Sequence, residues 1–280
     1  MQRWSIGILK GTSPLDLSPA LDGPVLTHRD VDDVPAEFVA DPFLMRRDRT
    51  WHLFFEVMNT SSGKGDIGLA TSADALHWQY RGIVLSERFH LSYPLVFSWQ
   101  GEDFMVPETL DLDGVYVYRA SRFPDVWERE ARILDGTFAD PTLFKSAERW
   151  WMFACPRPYA HDSLCLFSSA DLMGPWRPHA ENPLIASNAR KARPGGRVVE
   201  HRGRLLRFAQ VCQPSYGTAV RAFEIETLNP REYREREVQA EPLLGPSGRG
   251  WNAGGMHHID AQIDPAGGVI AAVDGWAECE

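Results

Sequence analysis

Phe38 to Val57 reads FVADPFLMRRDRTWHLFFEV, and Phe138 to Pro156 reads FADPTLFKSAERWWMFACP. In each, an Asp-Pro pair opens an alternating apolar run, a charged turn breaks it, and a second apolar-aromatic run follows. That is the pattern of two antiparallel strands joined by a short turn. Asp41 is followed fifteen residues later by Glu56, and Asp140 fifteen later by Cys155. The same spacing links Tyr93 to Glu108, Gly195 to Gln210 and, more weakly, Ile259 to Asp274. The unit starts lie roughly 45 to 65 residues apart, close to the period of propeller blades.

A third strand follows the hairpins. DIGLATSADALHW ends at Trp78, GVYVYRASRFPDVW at Trp127 and SLCLFSSADLMGPW at Trp176, each Trp opening a fourth strand; Tyr233 takes that place in the fourth unit. The fifth unit reaches Glu280 before its third strand, and RWSIGILKGTSPLDL at Arg3–Leu17 supplies the missing one. The expectation is an all-β chain, one domain over residues 1–280, folded as a five-bladed β-propeller with the N-terminal strand closing the last blade. Closure removes exposed strand edges. Only Pro35–Phe43 and Asn229–Glu237 offer a helical turn, and no segment keeps a 3.6-residue period over three turns.

Composition narrows the class. The chain has 280 residues, 44% of them apolar, enough for a sizeable core. A net charge of −9 argues against nucleic-acid or anionic-membrane partners. No apolar window approaches a membrane span, and MQRWSIGILKG lacks the length and cleavage site of a signal peptide. Cys155, Cys165, Cys212 and Cys279 show no paired spacing and are expected to be reduced thiols of a cytoplasmic protein.

In a propeller, first strands line the central channel and their starts meet at one mouth. A short hairpin returns residue n+15 to the rim of residue n. The mouth is therefore expected to gather Asp41, Glu56, Tyr93, Glu108, Asp140, Arg193, Arg197, Gln210, His257, His258, Asp260 and Asp274. Carboxylates crowded there raise one another's pKa, so that one serves as general acid and another as base, as glycoside chemistry requires. Asp41, Glu108 and Asp140 are the candidate catalytic residues; a strand-initial Asp capping a turn is the plain alternative. The glycines of ARPGGR, Ala192–Arg197, let backbone approach a ligand, and Arg193 and Arg197 would clamp an anionic group. His257 and His258 point to opposite faces of a strand. One of them with Asp260 would polarise a sugar hydroxyl or hold a metal. No cofactor is expected, a single divalent ion in the channel being left open. Trp251 and Trp276 lie nearer the rim, where they would stack on a sugar ring; Trp78, Trp127 and Trp176 are packing residues.

FVADPF, KGDIGLATSADALHW, FHLSYPLVF, MVPET, RPGGR and WNAGGMHHIDAQ together resemble the N-terminal domain of glucosamine inositolphosphorylceramide transferases and its bacterial relatives. The resemblance runs from WSIGILKG to AAVDGW. That domain is in turn similar to the five-bladed propellers of glycoside hydrolase family 43. In the plant proteins a separate glycosyltransferase domain follows, which a chain ending at Glu280 is expected to lack. The resemblance implies a general-base Asp on blade one, matched by Asp41. It implies an acid-tuning Asp on blade two, where Tyr93 stands after Ser92. It implies an acidic Glu on blade three, where Asp140 stands and Glu108 is the nearest Glu. An Arg on blade four and a His on blade five match Arg193 and His257 or His258. The polar ring is kept and the catalytic set is changed.

The first expectation is thus a cytoplasmic, glycoside-hydrolase-like enzyme of biosynthesis acting on a glycan or glycosylated small molecule. Its alternatives are a non-catalytic glycan-binding propeller that assists a partner transferase, and an acid–base enzyme recruited for cyclisation or elimination.

Overall fold

The computed structural model describes residues 2–264 and 267–278. The chain begins with β1 (Gln2–Ser13) and β2 (Asp16–Pro19). Blade one follows as β3 (Ala36–Arg47), β4 (Thr50–Asn59), β5 (Lys64–Ser72) and β6 (Gln79–Leu85). Blade two is β7 (Ser92–Trp99), β8 (Glu102–Glu108), β9 (Gly114–Arg122) and β10 (Val126–Asp135). Blade three is β11 (Ala139–Ser146), β12 (Arg149–Cys155), β13 (Cys165–Ser169) and β14 (Arg177–Pro178). Blade four is β15 (Val199–His201), β16 (Arg204–Val211), β17 (Ala219–Asn229) and β18 (Glu232–Glu237). The last sheet runs β19 (Ile259–Ile263), β20 (Val269–Glu278), β1, β2. The five sheets form the five-bladed propeller that the repeat spacing predicts. The N-terminus contributes more than the one expected strand: β1 is the third and β2 the fourth strand of blade five, β1 pairing with β20 from Gln2–Glu278 to Gly11–Val269.

Apolar residues from facing sheets hold the blades together, since each sheet is apolar on both faces and must bury both. Phe54 and Ile67 of blade one pack with Leu95 and Met105 of blade two and Met152 of blade three. Phe144 and Phe153 of blade three meet Ile225 and Tyr233 of blade four. Leu206 and Phe208 of blade four meet Ile259 and Val273 of blade five, and Ile6 and Ile8 of β1 meet Val39 and Leu53 of blade one. The indole N–H groups of Trp78, Trp127 and Trp176 donate to the carbonyls of Ala75, Pro124 and Leu172, fastening the turn before each fourth strand.

Neither segment offering a helical turn is helical: Pro35–Phe43 leads into and forms part of β3, and Asn229–Glu237 runs from the last residue of β17 through the turn and strand that follow it. Pairing with neighbouring strands overrides their local preference. Helix is confined, among the described residues, to single 3₁₀ turns at His28–Asp30, Leu110–Leu112 and Gly250–Asn252. No described helix is long and apolar enough to cross a membrane. Cys155, Cys165 and Cys212 are free thiols; Cys279 lies outside the described residues.

Candidate active site at the channel mouth

The X-Pro pairs that open the first strands have a common geometry. Asp41, Tyr93 and Asp140 have φ of 50°, 48° and 51°. A following proline drives its predecessor out of the right-handed helical region, and here the residue takes the left-handed one. Each sits in a β-bulge. Ala40 pairs with Glu56 and Phe43 with Phe54; Ser92 pairs with Glu108 and Leu95 with Val106; Ala139 pairs with Cys155 and Thr142 with Phe153. Two residues of the first strand thus oppose one of the second. The hairpin partner of Glu56 is therefore Ala40, one residue before Asp41, and the expected fifteen-residue pairs are offset by the bulge.

The bulge frees the backbone N–H of each turning residue, and a side chain from the preceding blade accepts it. Asp274 Oδ2 takes the Asp41 N–H at 3.0 Å, Asp41 Oδ2 takes the Tyr93 N–H at 3.2 Å and Glu108 Oε2 takes the Asp140 N–H at 3.0 Å. The Tyr93 hydroxyl accepts the Gly196 N–H at 2.9 Å. These side chains tie blade to blade around the mouth.

A pocket of about 200 Å³ opens there, lined by Asp41, Glu56, Glu108, Arg193 and His257 together with Trp4, Phe38, Ala40, His90, Ser92 and Tyr216. Larger clefts lie elsewhere, and two of them stand out for size. One, of about 660 Å³, surrounds Trp251 with Leu17, Leu243 and Leu244; the other, of about 510 Å³, lies beside Arg47 and His52. Neither is lined by Asp41, Glu56 or Glu108, which makes the small pocket the candidate site.

Arg193 is the hub of one wall. Its guanidinium grips Asp140 through Nε at 2.5 Å and Nη2 at 3.2 Å, and Nη2 reaches Glu108 Oε2 at 3.3 Å. Its Nη1 donates to the Pro158 carbonyl at 2.9 Å and meets His161 Nδ1 at 2.9 Å. Gln210 Nε2 donates to Asp140 Oδ2 at 2.8 Å. Asp140 is thereby immobilised below the pocket. Glu108 keeps Oε1 toward Ser92, whose hydroxyl lies 3.3 Å away.

On the opposite wall Asp274 accepts four N–H bonds. Oδ1 takes His257 Nδ1 at 2.8 Å and the backbone N–H groups of His257 and His258 at 3.2 and 3.1 Å, while Oδ2 takes that of Asp41. His257 stacks on Trp4 with ring centroids 4.1 Å apart, and its Nε2 lies 3.7 Å from Asp41 Oδ1. His258 is fully buried against Phe43 and Tyr93, and neither of its ring nitrogens has a hydrogen-bond partner. On the rim, His90 Nε2 lies 3.3 Å from Glu56 Oε1 while its Nδ1 accepts the Gly65 N–H at 2.9 Å.

Electrostatics separate these groups. Burial, reinforced by Asp140, pushes the Glu108 carboxyl up to about 8 despite Arg193. Burial also holds Asp41 well above the usual carboxylate range, with His257 opposing. Burial works against charge on His257, but Asp274 and Asp41 outweigh it and raise the imidazole to about 9. Asp274 is lowered: burial opposes its charge, and His257 more than compensates. Burial takes His258 down to about 4. Burial raises the thiols of Cys155 and Cys212 to about 11 and about 12, far from a reactive thiolate.

Several expected residues lie outside the pocket. Arg197 and Asp260 form an ion pair at 2.7 Å deeper in the ring, where Arg197 also donates to the Val96 carbonyl and Asp260 takes the Leu44 N–H. They join blades four, five, one and two, and Arg197 is no rim clamp. Trp251 lies in the Leu-rich cleft, within 2.6 Å of where a Cβ on Gly7 would stand. It wedges against blade five rather than facing the carboxylates. Tyr93, Asp140, Gln210, His258 and Asp274 sit beneath the pocket as its support. Trp4, Phe38, His90 and Tyr216 line it without having been singled out. Phe38 stands within the opening stretch itself, three residues before Asp41; Trp4 lies on the closing strand, and His90 and Tyr216 lie on loops with no repeat pattern.

Asp41, His257 and Asp274 place ligand atoms within 4.8 Å of one another, a spacing a metal ion would accept. The donor set argues otherwise. Both Asp274 oxygens already face N–H groups, whose positive ends would oppose a cation. The residues do not fit a resident ion.

A family model described as "Glucosamine inositolphosphorylceramide transferase 1, N-terminal" matches residues 2–276. A curated relative of that name from Oryza sativa subsp. japonica is 37% identical over 295 residues, covering 97% of this chain and 40% of the relative. The relative from Arabidopsis thaliana is 34% identical, covering 97% of this chain and 39% of the relative. The chain thus spans about two fifths of the length of these relatives. A putative glycosidase from Bacteroides thetaiotaomicron superposes with a TM-score of 0.66 at 13% identity, over 95% of this chain and 96% of that one. A thermostable family-43 glycoside hydrolase gives 0.60 at 12% identity, over 85% and 88%. At such identities the likeness is one of fold.

Proposed function

The chain belongs to the family of glucosamine inositolphosphorylceramide transferase N-terminal domains, and from that premise we propose a carbohydrate-active protein that makes or breaks a glycosidic or related C–O bond in the channel mouth. Two buried carboxyl groups opening into one pocket carry this reading. Glu108, raised to about 8, holds a proton at neutral pH and would give it to the departing oxygen. Asp41, across the pocket, would take a proton from the attacking hydroxyl. Ser92 and Arg193 hold Glu108 in place, and the Arg193–Asp140 pair keeps that wall rigid. A pocket of about 200 Å³ is smaller than the roughly 300–1,000 Å³ of a drug-sized site, which suits one sugar ring. The relatives' name pairs glucosamine with an inositolphosphorylceramide. For this chain we infer a sugar-bearing substrate of the same broad kind, handled in the cytoplasm.

The test is turnover. The purified chain is incubated with nucleotide-sugars, glycosides and glycosylated lipids, and products are followed by mass spectrometry. Product formed by the wild type and lost in Asp41→Asn and Glu108→Gln supports the assignment; equal rates in all three overturn it.

A second reading is favoured by the immobilised Asp140, whose carboxylate is occupied by Arg193 and Gln210. The propeller would bind the glycan and present it to a separate transferase. Saturable sugar binding without product, with a transferase whose rate rises when the chain is added, marks that reading.

A further inference from the structure

His257 has a setting that the acid–base pair alone does not explain, and it rests on the reading of Asp41 as base. Its ring is fixed from three sides. Asp274, with no accessible surface, accepts Nδ1–H at 2.8 Å and is itself held by three backbone N–H groups. Trp4 lies against the ring face at 4.1 Å with 26° between planes, and Tyr216 meets it edge-on at 5.1 Å. This leaves Nε2 facing Asp41 Oδ1 at 3.7 Å, an ion-pair distance too long for a hydrogen bond.

Each neighbour favours the charged imidazole. A carboxylate saturated with N–H donors stays ionised and fixes the proton on Nδ1. An indole face attracts a cation. The titratable and charged groups facing His257 are Asp274 from β20, Asp41 from β3 and Tyr216 from the loop after β16, with Asp140 acting from farther off. The neighbouring His258 is neutral near pH 7. Burial works against charge on Asp41 and holds its carboxyl above the usual range, and His257 is the group that opposes this.

We propose that His257 is a fixed imidazolium counter-ion, held by Asp274 and Trp4, whose task is to favour the ionised form of Asp41 against burial so that it can accept a proton from the bound hydroxyl. His257 is then a positioning residue and need not touch the bond that changes. The proposal also gives the closing strand a functional part. Trp4 on β1 reaches the mouth only because the N-terminus completes blade five.

The experiment uses the full chain with isotope-labelled histidines and no substrate. The ring-nitrogen signals of His257, assigned by their loss in His257→Gln, are followed by NMR from pH 5 to 10. A doubly protonated ring at pH 7, titrating above pH 8, is expected. A neutral tautomer at pH 7 overturns the proposal. This outcome does not depend on whether Asp41 is catalytic, so the two readings fail separately. Once a substrate is in hand, His257→Gln should move the acid limb of the rate profile upward by one pH unit or more with KM little changed. A mere packing role would leave that limb in place and overturn the proposal.

Discussion

The Asp41 carboxylate accepts the backbone N–H of Tyr93 at 3.2 Å, so one side chain both ties blade one to blade two and faces the pocket. Its second oxygen, Oδ1, looks toward His257 and His258, each 3.7 Å away. The two duties can be separated by substitution. Asp41→Asn keeps an acceptor for Tyr93 and removes the base. It should retain the melting temperature within a few degrees while turnover falls about 10²–10⁴-fold. Asp41→Ala leaves a buried N–H unpaired and should also lose about 1–3 kcal/mol of stability. Thermal melts of the two variants side by side distinguish the roles.

Arg193 neutralises Asp140 in a buried setting, with side-chain exposures of 8% and 2%. Arg193→Ala should destabilise the chain by about 3–5 kcal/mol, since it leaves a buried carboxylate without its partner. Arg193→Lys cannot restore the two-pronged contact and should recover only part of that loss. Urea unfolding monitored by tryptophan fluorescence measures both.

Stability should fall as pH rises. Glu108 is raised from the ordinary 4.5 to about 8 in the folded chain, so between those values the folded state binds more protons than the unfolded one. Stability then decreases with increasing pH across that window. His257, raised from 6.5 to about 9, adds a further decline between those values. Glu108→Gln should make the slope between pH 4.5 and 8 shallower, with the contributions of Asp41 and, above pH 6.5, of His257 left in place. Melting temperatures in steps of half a pH unit read this directly.

At Gly196 the segment leading into blade four lies close against Ile259 of blade five. At φ +133° a Cβ would stand 1.7 Å from the Ile259 carbonyl oxygen. Backbone cannot yield as a side-chain tip can, and the φ adds strain of about 1–3 kcal/mol. Gly196→Ala should therefore lower stability by at least that amount, and the Tyr93–Gly196 bond with it. Gly203→Ala, at φ +75° with open space around the site, should cost less. The difference in unfolding free energy between the two checks the packing argument.

The blades were legible in the sequence because each one repeats the same local instructions. The X-Pro start, the polar turn and the Trp that fastens the third turn recur at Asp41, Tyr93 and Asp140 and at Trp78, Trp127 and Trp176. Convergence of Asp41, Glu108, Arg193 and His257 follows from that repeat alone. Depth was not legible. Arg197 lies four residues beyond Arg193 in the segment leading into β15, farther along the channel, where it meets Asp260 instead of the pocket. Trp251 precedes the blade-five repeat, so nothing in the spacing fixed which cleft it would enter. His90 and Tyr216 come from connecting loops, whose course depends on the blades they cross. The bulge that offsets Glu56 from Asp41 needs the left-handed φ before proline, which spacing does not reveal.

A structure of the chain with a bound sugar, obtained by soaking Asp41→Asn crystals with ligands identified by mass spectrometry, tests the account most directly. The account predicts one sugar ring in the mouth, with a hydroxyl within hydrogen-bond reach of residue 41 and the glycosidic oxygen near Glu108. A ring seated in the cleft beside Trp251, with the mouth unoccupied at saturating ligand, would contradict it.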